Sequence, residues 1–72
     1  MPYVNIKITQ EGATKAQKKA LIQGVTELLA KTLNKNPKTT VVVIEEVSMD
    51  NWGIGGEVVS EIRKKQEQKI LS

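Results

Sequence analysis

The 72-residue sequence contains neither cysteine nor histidine. The absence of cysteine excludes disulfides and thiolate zinc sites. The absence of histidine removes the most common metal ligand and the usual acid–base group near neutral pH. It also excludes a nucleophile of the Ser/His/Asp type, because no imidazole is present to activate a hydroxyl. We therefore expect no metal site.

Aromatic residues and arginine are scarce. Tyr3 and Trp52 are the only aromatic residues, and Arg63 is the only arginine among the 11 basic residues, against 8 acidic residues and a net charge of +3. Proteins that bind nucleic acid more often combine clustered arginines with stacking aromatics. Because the lysines here are scattered along the chain, we expect a solvated surface and no nucleic-acid partner.

The chain also lacks a long hydrophobic run. No segment approaches the about 20 apolar residues of a membrane span, and no charged start followed by an apolar stretch marks a signal peptide. We expect no membrane partner and a cytoplasmic location. A domain of this size buries only about 60% of its unfolded surface. Without disulfides or a metal, oligomerisation is the remaining means of stabilising it.

The first two-thirds of the chain has the pattern of a strand, a helix and a second strand. Residues 3–9 alternate apolar and polar side chains, as in a half-buried strand. Thr14 and Gln17 have the spacing of a capping box, and apolar residues at helical spacing predict a helix over 15–33. The β-branched run from Thr39 to Ile44 is typical of a strand covered on both faces, as in a parallel pair.

The last third is punctuated by glycine. The segment SMDNWGIGGE predicts a turn or a tight hairpin, and the following tail fits either a short strand or a helical turn. We interpret residues 1–72 as one α+β domain, with 66–72 as a flexible or subunit-contacting tail. One helix cannot cover both faces of a two-stranded sheet, so the second strand requires another copy of the chain.

Pro2 is the strongest candidate for chemistry. If Met1 is removed, Pro2 carries a free secondary amine at the start of a strand. A terminal amine has an ordinary pKa of about 7.7–8.0, and burial lowers the pKa of such a group. This would give a general base near neutrality in a protein without histidine. The alternative is that Pro2 only starts a strand, where its missing N–H costs nothing.

Two other residues have structural and functional interpretations. Trp52 either covers apolar surface at the hairpin or forms the wall of an apolar pocket. Glu46 is a minor candidate, because the adjacent carboxylate of Glu45 points to the opposite face of the strand.

The segments MPYVNIKIT, AQKKALIQGVTELLAKTL, VVVIEEV and NWGIGGE occur in an order that resembles the 4-oxalocrotonate tautomerase family, in particular DmpI-like tautomerases. The resemblance covers residues 2–65. It implies a β-α-β unit with a C-terminal β-hairpin, with sheets completed by oligomerisation, in a homo-oligomer that is a hexamer built as a trimer of dimers. It also implies a cofactor-free keto–enol tautomerase, an isomerase, acting on 2-hydroxymuconate-like dienols.

The same resemblance assigns roles to residues. Pro2 matches the amino-terminal proline that moves a proton between the 2-hydroxyl oxygen and carbon 5 of the substrate. Trp52 matches the aromatic pocket wall, and Thr39 matches a pocket serine. Thr9 aligns near the end of the first strand, where the family offers a backbone amide.

The sequence departs from the family at two arginines that contact the substrate. Their positions hold Ala13 and Val41, which can neither donate a side-chain hydrogen bond nor carry a charge. Lys38, Lys35, Arg63 or a lysine of another subunit are the candidates to replace them, and we include Lys38 among the substrate-binding residues. A non-catalytic or weakly promiscuous oligomeric binding protein of the same fold is the alternative function.

Overall fold

The computed structural model describes the backbone of residues 2–71 and the side chains of residues 2–66. A parallel two-stranded sheet is crossed by a long helix, and a short antiparallel hairpin leads into a second helix. The elements are β1 (Tyr3–Thr9), α1 (Lys15–Leu33), β2 (Val41–Val47), β3 (Gly53–Ile54), β4 (Glu57–Val58) and α2 (Val59–Leu71). The α+β class, with a β-α-β unit followed by a hairpin, is confirmed.

Helix α1 has the limits that the sequence predicts. The Thr14 hydroxyl accepts from the Gln17 N–H at 3.1 Å, and the Gln17 side chain accepts from the Thr14 N–H at 2.9 Å. This capping box satisfies two backbone donors that the first turn of a helix leaves free. At the other end, Asn34 adopts the left-handed conformation with φ of 53°, which ends the helix.

The strands of the β-α-β unit pair in register, with Tyr3 opposite Val41 and Thr9 opposite Val47. Side chains alternate between the two faces of a sheet. Helix α1 contacts one face through Lys18, whose Nζ lies 2.9 Å from a carboxylate oxygen of Glu46. Glu46 was a minor catalytic candidate, and the structure pairs it with the helix.

The second strand begins later than the β-branched run suggests. Residues Pro37–Thr39 form a turn of 3₁₀ helix, and β2 begins at Val41. The prediction that the strand includes Thr39 was wrong, because Asn36 caps this turn by accepting from the Lys38 N–H at 2.9 Å. A side chain that bonds the nearby backbone competes with strand pairing.

The last third resolves the alternatives that the sequence left open. The predicted hairpin is present as β3 and β4, with Gly55 and Gly56 at positive φ in its turn. Val58 belongs to β4, and the tail after it is helical and longer than the single turn that the sequence suggests, since α2 runs from Val59 to Leu71. The flexible or subunit-contacting role of 66–72 stays a prediction, because most of its side chains and all of Ser72 lie outside the described residues.

A single chain has almost no core. Among the described side chains, only Val59 is buried, at 5% exposure. The sheet face opposite α1 carries Tyr3, Val41 and Val43, and Tyr3 is 63% exposed. The radius of gyration is 16.5 Å, against about 11 Å for a compact domain of this length. The sequence predicts that the second strand is covered on both faces. In a single chain, one of these faces is left uncovered.

Candidate active site

Pro2 lies at the head of β1. Its carbonyl accepts from the Val41 N–H at 3.0 Å, which extends the parallel pairing by one residue. The residue is half-buried. Proline has no backbone N–H to donate to the neighbouring strand. Only the carbonyl of Pro2 is therefore paired, and its ring nitrogen lies at the end of the sheet. Met1, whose removal the predicted base requires, lies outside the described residues.

Thr39 and Lys38 lie at the same end of the sheet as Pro2, in the turn that precedes β2. The Thr39 hydroxyl donates to the Asn36 carbonyl oxygen at 3.3 Å. The Lys38 N–H is held by the Asn36 side chain, and the Lys38 residue is exposed. The turn that displaces the strand therefore keeps both candidate residues near the head of β1.

Trp52 and Thr9 lie at the opposite end of the sheet, in the wall of one open cavity of about 820 Å³. Trp52 precedes β3, and its carbonyl accepts from the Val59 N–H at 2.8 Å, which closes the base of the hairpin. The cavity lies between the end of β1, the loop after it, the hairpin and the first turns of α2. Its walls are Lys7, Ile8, Thr9, Glu11, Gly12, Ala13, Gln17, Trp52, Ile54, Val59, Ile62, Arg63 and Gln66.

Three of the residues that line this cavity are joined by hydrogen bonds. The Thr9 hydroxyl donates to one carboxylate oxygen of Glu11, and the Arg63 guanidinium donates to the other at 2.7 Å. The Thr9 hydroxyl and the Arg63 cation hold the pKa of Glu11 below its usual value, because both favour the ionised carboxylate. Glu11 is therefore ionised at neutral pH.

The pairing of Glu11 with Arg63 was missed from sequence. The two residues are 52 positions apart. Glu11 lies in a loop, and the sequence did not determine whether the segment that contains Arg63 is a strand or a helix, so no periodic pattern relates the two residues. The only signal was that Arg63 is the single arginine in the chain.

The predicted site residues fall into two groups that one chain does not bring together. Pro2 and Thr9 are seven positions apart on an extended strand, which at about 3.3 Å per residue separates them by roughly 23 Å. Pro2, Lys38 and Thr39 form one group, and Thr9 and Trp52 form the other. The two residues that stand where the resembled family has arginines are separated in the same way. Val41 lies beside Pro2, and Ala13 lies in the wall of the cavity.

Within the described part of the chain, no three acidic side chains converge in a way that could hold a metal ion. Over the same residues, neither helix is long and apolar enough to cross a membrane.

The parallel β-α-β unit followed by a hairpin, with the Pro2 carbonyl paired at the head of β1, defines a class of small β-α-β proteins. The family model described as "Tautomerase enzyme" matches residues 2–62, and the chain belongs to this tautomerase family. It is 65% identical over 65 residues to the probable tautomerase K2 of Dickeya dadantii, covering 90% of this chain and 97% of that protein.

Solved structures agree with this assignment. The crystal structure of DmpI from Helicobacter pylori superposes with a TM-score of 0.83 at 48% identity, over 88% of this chain and 97% of that one. A 4-oxalocrotonate tautomerase isozyme of Methylibium petroleiphilum superposes with a TM-score of 0.78 at 33% identity, over 85% and 97% of the two chains. The predicted resemblance to DmpI-like tautomerases is confirmed.

Proposed function

We propose that this protein is a cofactor-free keto–enol tautomerase of 2-hydroxymuconate-like dienols, with the Pro2 nitrogen as general base after removal of Met1. The observation that carries the proposal is the anchored, half-buried Pro2 at the head of β1. Membership of the tautomerase family supports the reaction, and the similarity to a 4-oxalocrotonate tautomerase isozyme supports the substrate class.

The reaction needs no external oxidant or reductant. The neutral Pro2 nitrogen takes the proton from the 2-hydroxyl of the dienol, and the oxygen electron pair forms the carbonyl. The diene electrons shift towards carbon 5, which receives a proton from the Pro2 ammonium as a new C–H bond. One group that acts as base and then as acid suffices, provided that its pKa is near the working pH.

A complete site requires more than one chain. Pro2, Thr39 and Lys38 lie about one strand length from Trp52 and Thr9, so one small substrate cannot contact both groups in a single chain. We propose that a homo-oligomer, a hexamer built as a trimer of dimers, brings the Pro2 end of one chain to the Trp52 cavity of another. Tyr3 and Val41, the exposed apolar residues of the sheet face opposite α1, contribute apolar surface to this association, and burial of apolar surface drives it.

The test compares the wild-type protein with Pro2→Ala, using a 2-hydroxymuconate-like dienol and following its conversion to the ketone by absorbance. Because general acid–base catalysis contributes about 10²- to 10⁴-fold, we expect kcat to fall by about 10²-fold or more. Circular dichroism must show that the variant is folded. Full activity in Pro2→Ala would refute the role of Pro2.

A matched control keeps the proline ring but removes the base. A protein with one additional residue before Pro2 carries an amide at this nitrogen, whose lone pair is delocalised into the carbonyl. We expect this protein to be as inactive as Pro2→Ala, and the intact mass of each sample establishes which amino terminus it has.

The alternative is a non-catalytic or weakly promiscuous binding protein of the same fold. The apolar side chain of Val41, whose N–H pairs with the Pro2 carbonyl, is the observation that favours it, because this position supplies no cation to polarise a substrate carbonyl. Titration of the terminal amine separates the two functions. A base should titrate clearly below a solvent-exposed prolyl amine, whereas a non-catalytic protein should show the ordinary value. A cytoplasmic location stays a prediction from the sequence.

A further inference from the structure

The cavity beside Trp52 combines apolar walls with one arginine. Trp52, Ile54 and Ile62 form apolar walls, and Arg63 lines the cavity one residue after Ile62. The Arg63 side chain is 49% exposed, so it can be reached from solvent while its other half contacts protein. An arginine in such a setting suits a ligand with an unsaturated body and an anionic end.

The charges that line the cavity favour an anion. Lys7 and Arg63 are positive, Glu11 is negative, and Glu11 is already paired with Arg63. One net positive charge remains at neutral pH. A ligand with a carboxylate therefore finds a complementary potential in the cavity.

Glu11 holds the guanidinium in place without using all its donors. It accepts from Nη1 of Arg63 at 2.7 Å, and the Thr9 hydroxyl fixes the other carboxylate oxygen. A guanidinium has five N–H donors in a rigid fork, so the remaining donors can hold a second carboxylate in a bidentate arrangement. Ala13, which also lines the cavity, adds only a methyl group and leaves room for that ligand.

We propose that Arg63 binds a carboxylate of the substrate in the Trp52 cavity, and that Glu11 is the positioning residue that holds its guanidinium. This assignment rests on the proposed tautomerase function for the identity of the substrate. It selects Arg63 from the candidates that the sequence left open. Lys35 and Lys38 belong to the other end of the sheet.

The experiment measures binding rather than turnover. Trp52 is the only tryptophan in the chain and lines the cavity, so its fluorescence reports occupancy directly. The probe is muconate, an unsaturated dicarboxylate without the enol hydroxyl, and its dimethyl ester is the uncharged comparison. We expect muconate to change the fluorescence of the wild-type protein with saturation, and Arg63→Gln to weaken its binding by about 10- to 100-fold, as expected for hydrogen bonds to a charged group.

Two further variants make the result specific. Lys64→Gln removes the same charge from the next residue of α2, which does not line the cavity, and should change the dissociation constant less than twofold. Arg63→Lys keeps the charge but loses the fork, and should fall between the wild-type protein and Arg63→Gln. Binding of the dimethyl ester should not respond to Arg63→Gln.

Three results would overturn the proposal. The first is that muconate leaves the fluorescence of Trp52 unchanged. The second is that Lys64→Gln and Arg63→Gln weaken muconate binding equally, and the third is that Arg63→Gln weakens the binding of muconate and of its dimethyl ester equally. Circular dichroism identifies a misfolded Arg63→Gln, in which case Arg63→Lys decides. Because binding needs no proton transfer, failure of this site is distinguishable from failure of the Pro2 mechanism, which leaves muconate binding intact.

Discussion

If the subunits associate through the exposed sheet face opposite α1, one charged side chain introduced on this face should dissociate the oligomer. Val43 lies in the middle of β2, on the face opposite α1, next to Val41 and on the same side as Tyr3. In one chain it is half-buried, and Tyr3 and Val41 beside it are 63% and 39% exposed. The perturbation is Val43→Glu, which places a carboxylate in the centre of the proposed contact.

The magnitude follows from the two environments of this carboxylate. In a single chain the glutamate can reach water, because no described element covers this face. In the oligomer it would be buried without a partner, which costs about 3–5 kcal/mol. Every 1.4 kcal/mol is a factor of ten, so the association constant should fall at least about 100-fold for each copy of the contact. In a two-fold contact the residue occurs twice, and the effect multiplies.

Sedimentation velocity over a range of protein concentrations measures the loss of assembly. Circular dichroism on the same samples should show a thermal midpoint that depends on concentration in the wild-type protein. Gln23→Glu adds the same side chain on the exposed part of α1 and is the matched control, which should assemble normally. If Val43→Glu sediments as the wild-type protein does, the open sheet face is not the contact and the reasoning fails.

Two further predictions concern contacts within the chain. Thr14→Ala removes the capping box of α1 and should cost about 1 kcal/mol of stability, measured as a lower thermal midpoint at fixed protein concentration; an unchanged midpoint would show that the cap contributes nothing. The pKa of Glu11 is lowered in the folded protein by Thr9 and Arg63, so its stabilising contribution is present above the unfolded pKa of about 4.3 and is lost as the pH falls through the folded value. Glu11→Gln should therefore reduce the slope of stability against pH in acid, and an identical slope would contradict the pairing.

Local patterns predicted the elements, and long-range geometry determined the site. The alternation of residues 3–9 and the Thr14–Gln17 capping box predicted β1 and the start of α1, because both depend on neighbours in the chain. The predicted start of the second strand at Thr39 was wrong, because a β-branched side chain favours a strand while the cap by Asn36 favours a turn. The contact of Glu11 with Arg63 joins residues 52 positions apart, a separation that no local pattern encodes.

The weak core and the divided site have one explanation. A chain whose only buried described side chain is Val59 gains little from folding alone, and stability is the small difference between burial and lost entropy. If subunits associate through the open sheet face, the contact that supplies the missing burial also brings the Pro2 end of one chain towards the Trp52 cavity of another. Folding, assembly and formation of the site would then depend on the same surface. A variant that weakens assembly without touching Pro2 or Trp52 should therefore lose activity in proportion to the fraction of dissociated protein, and raising the protein concentration should restore it.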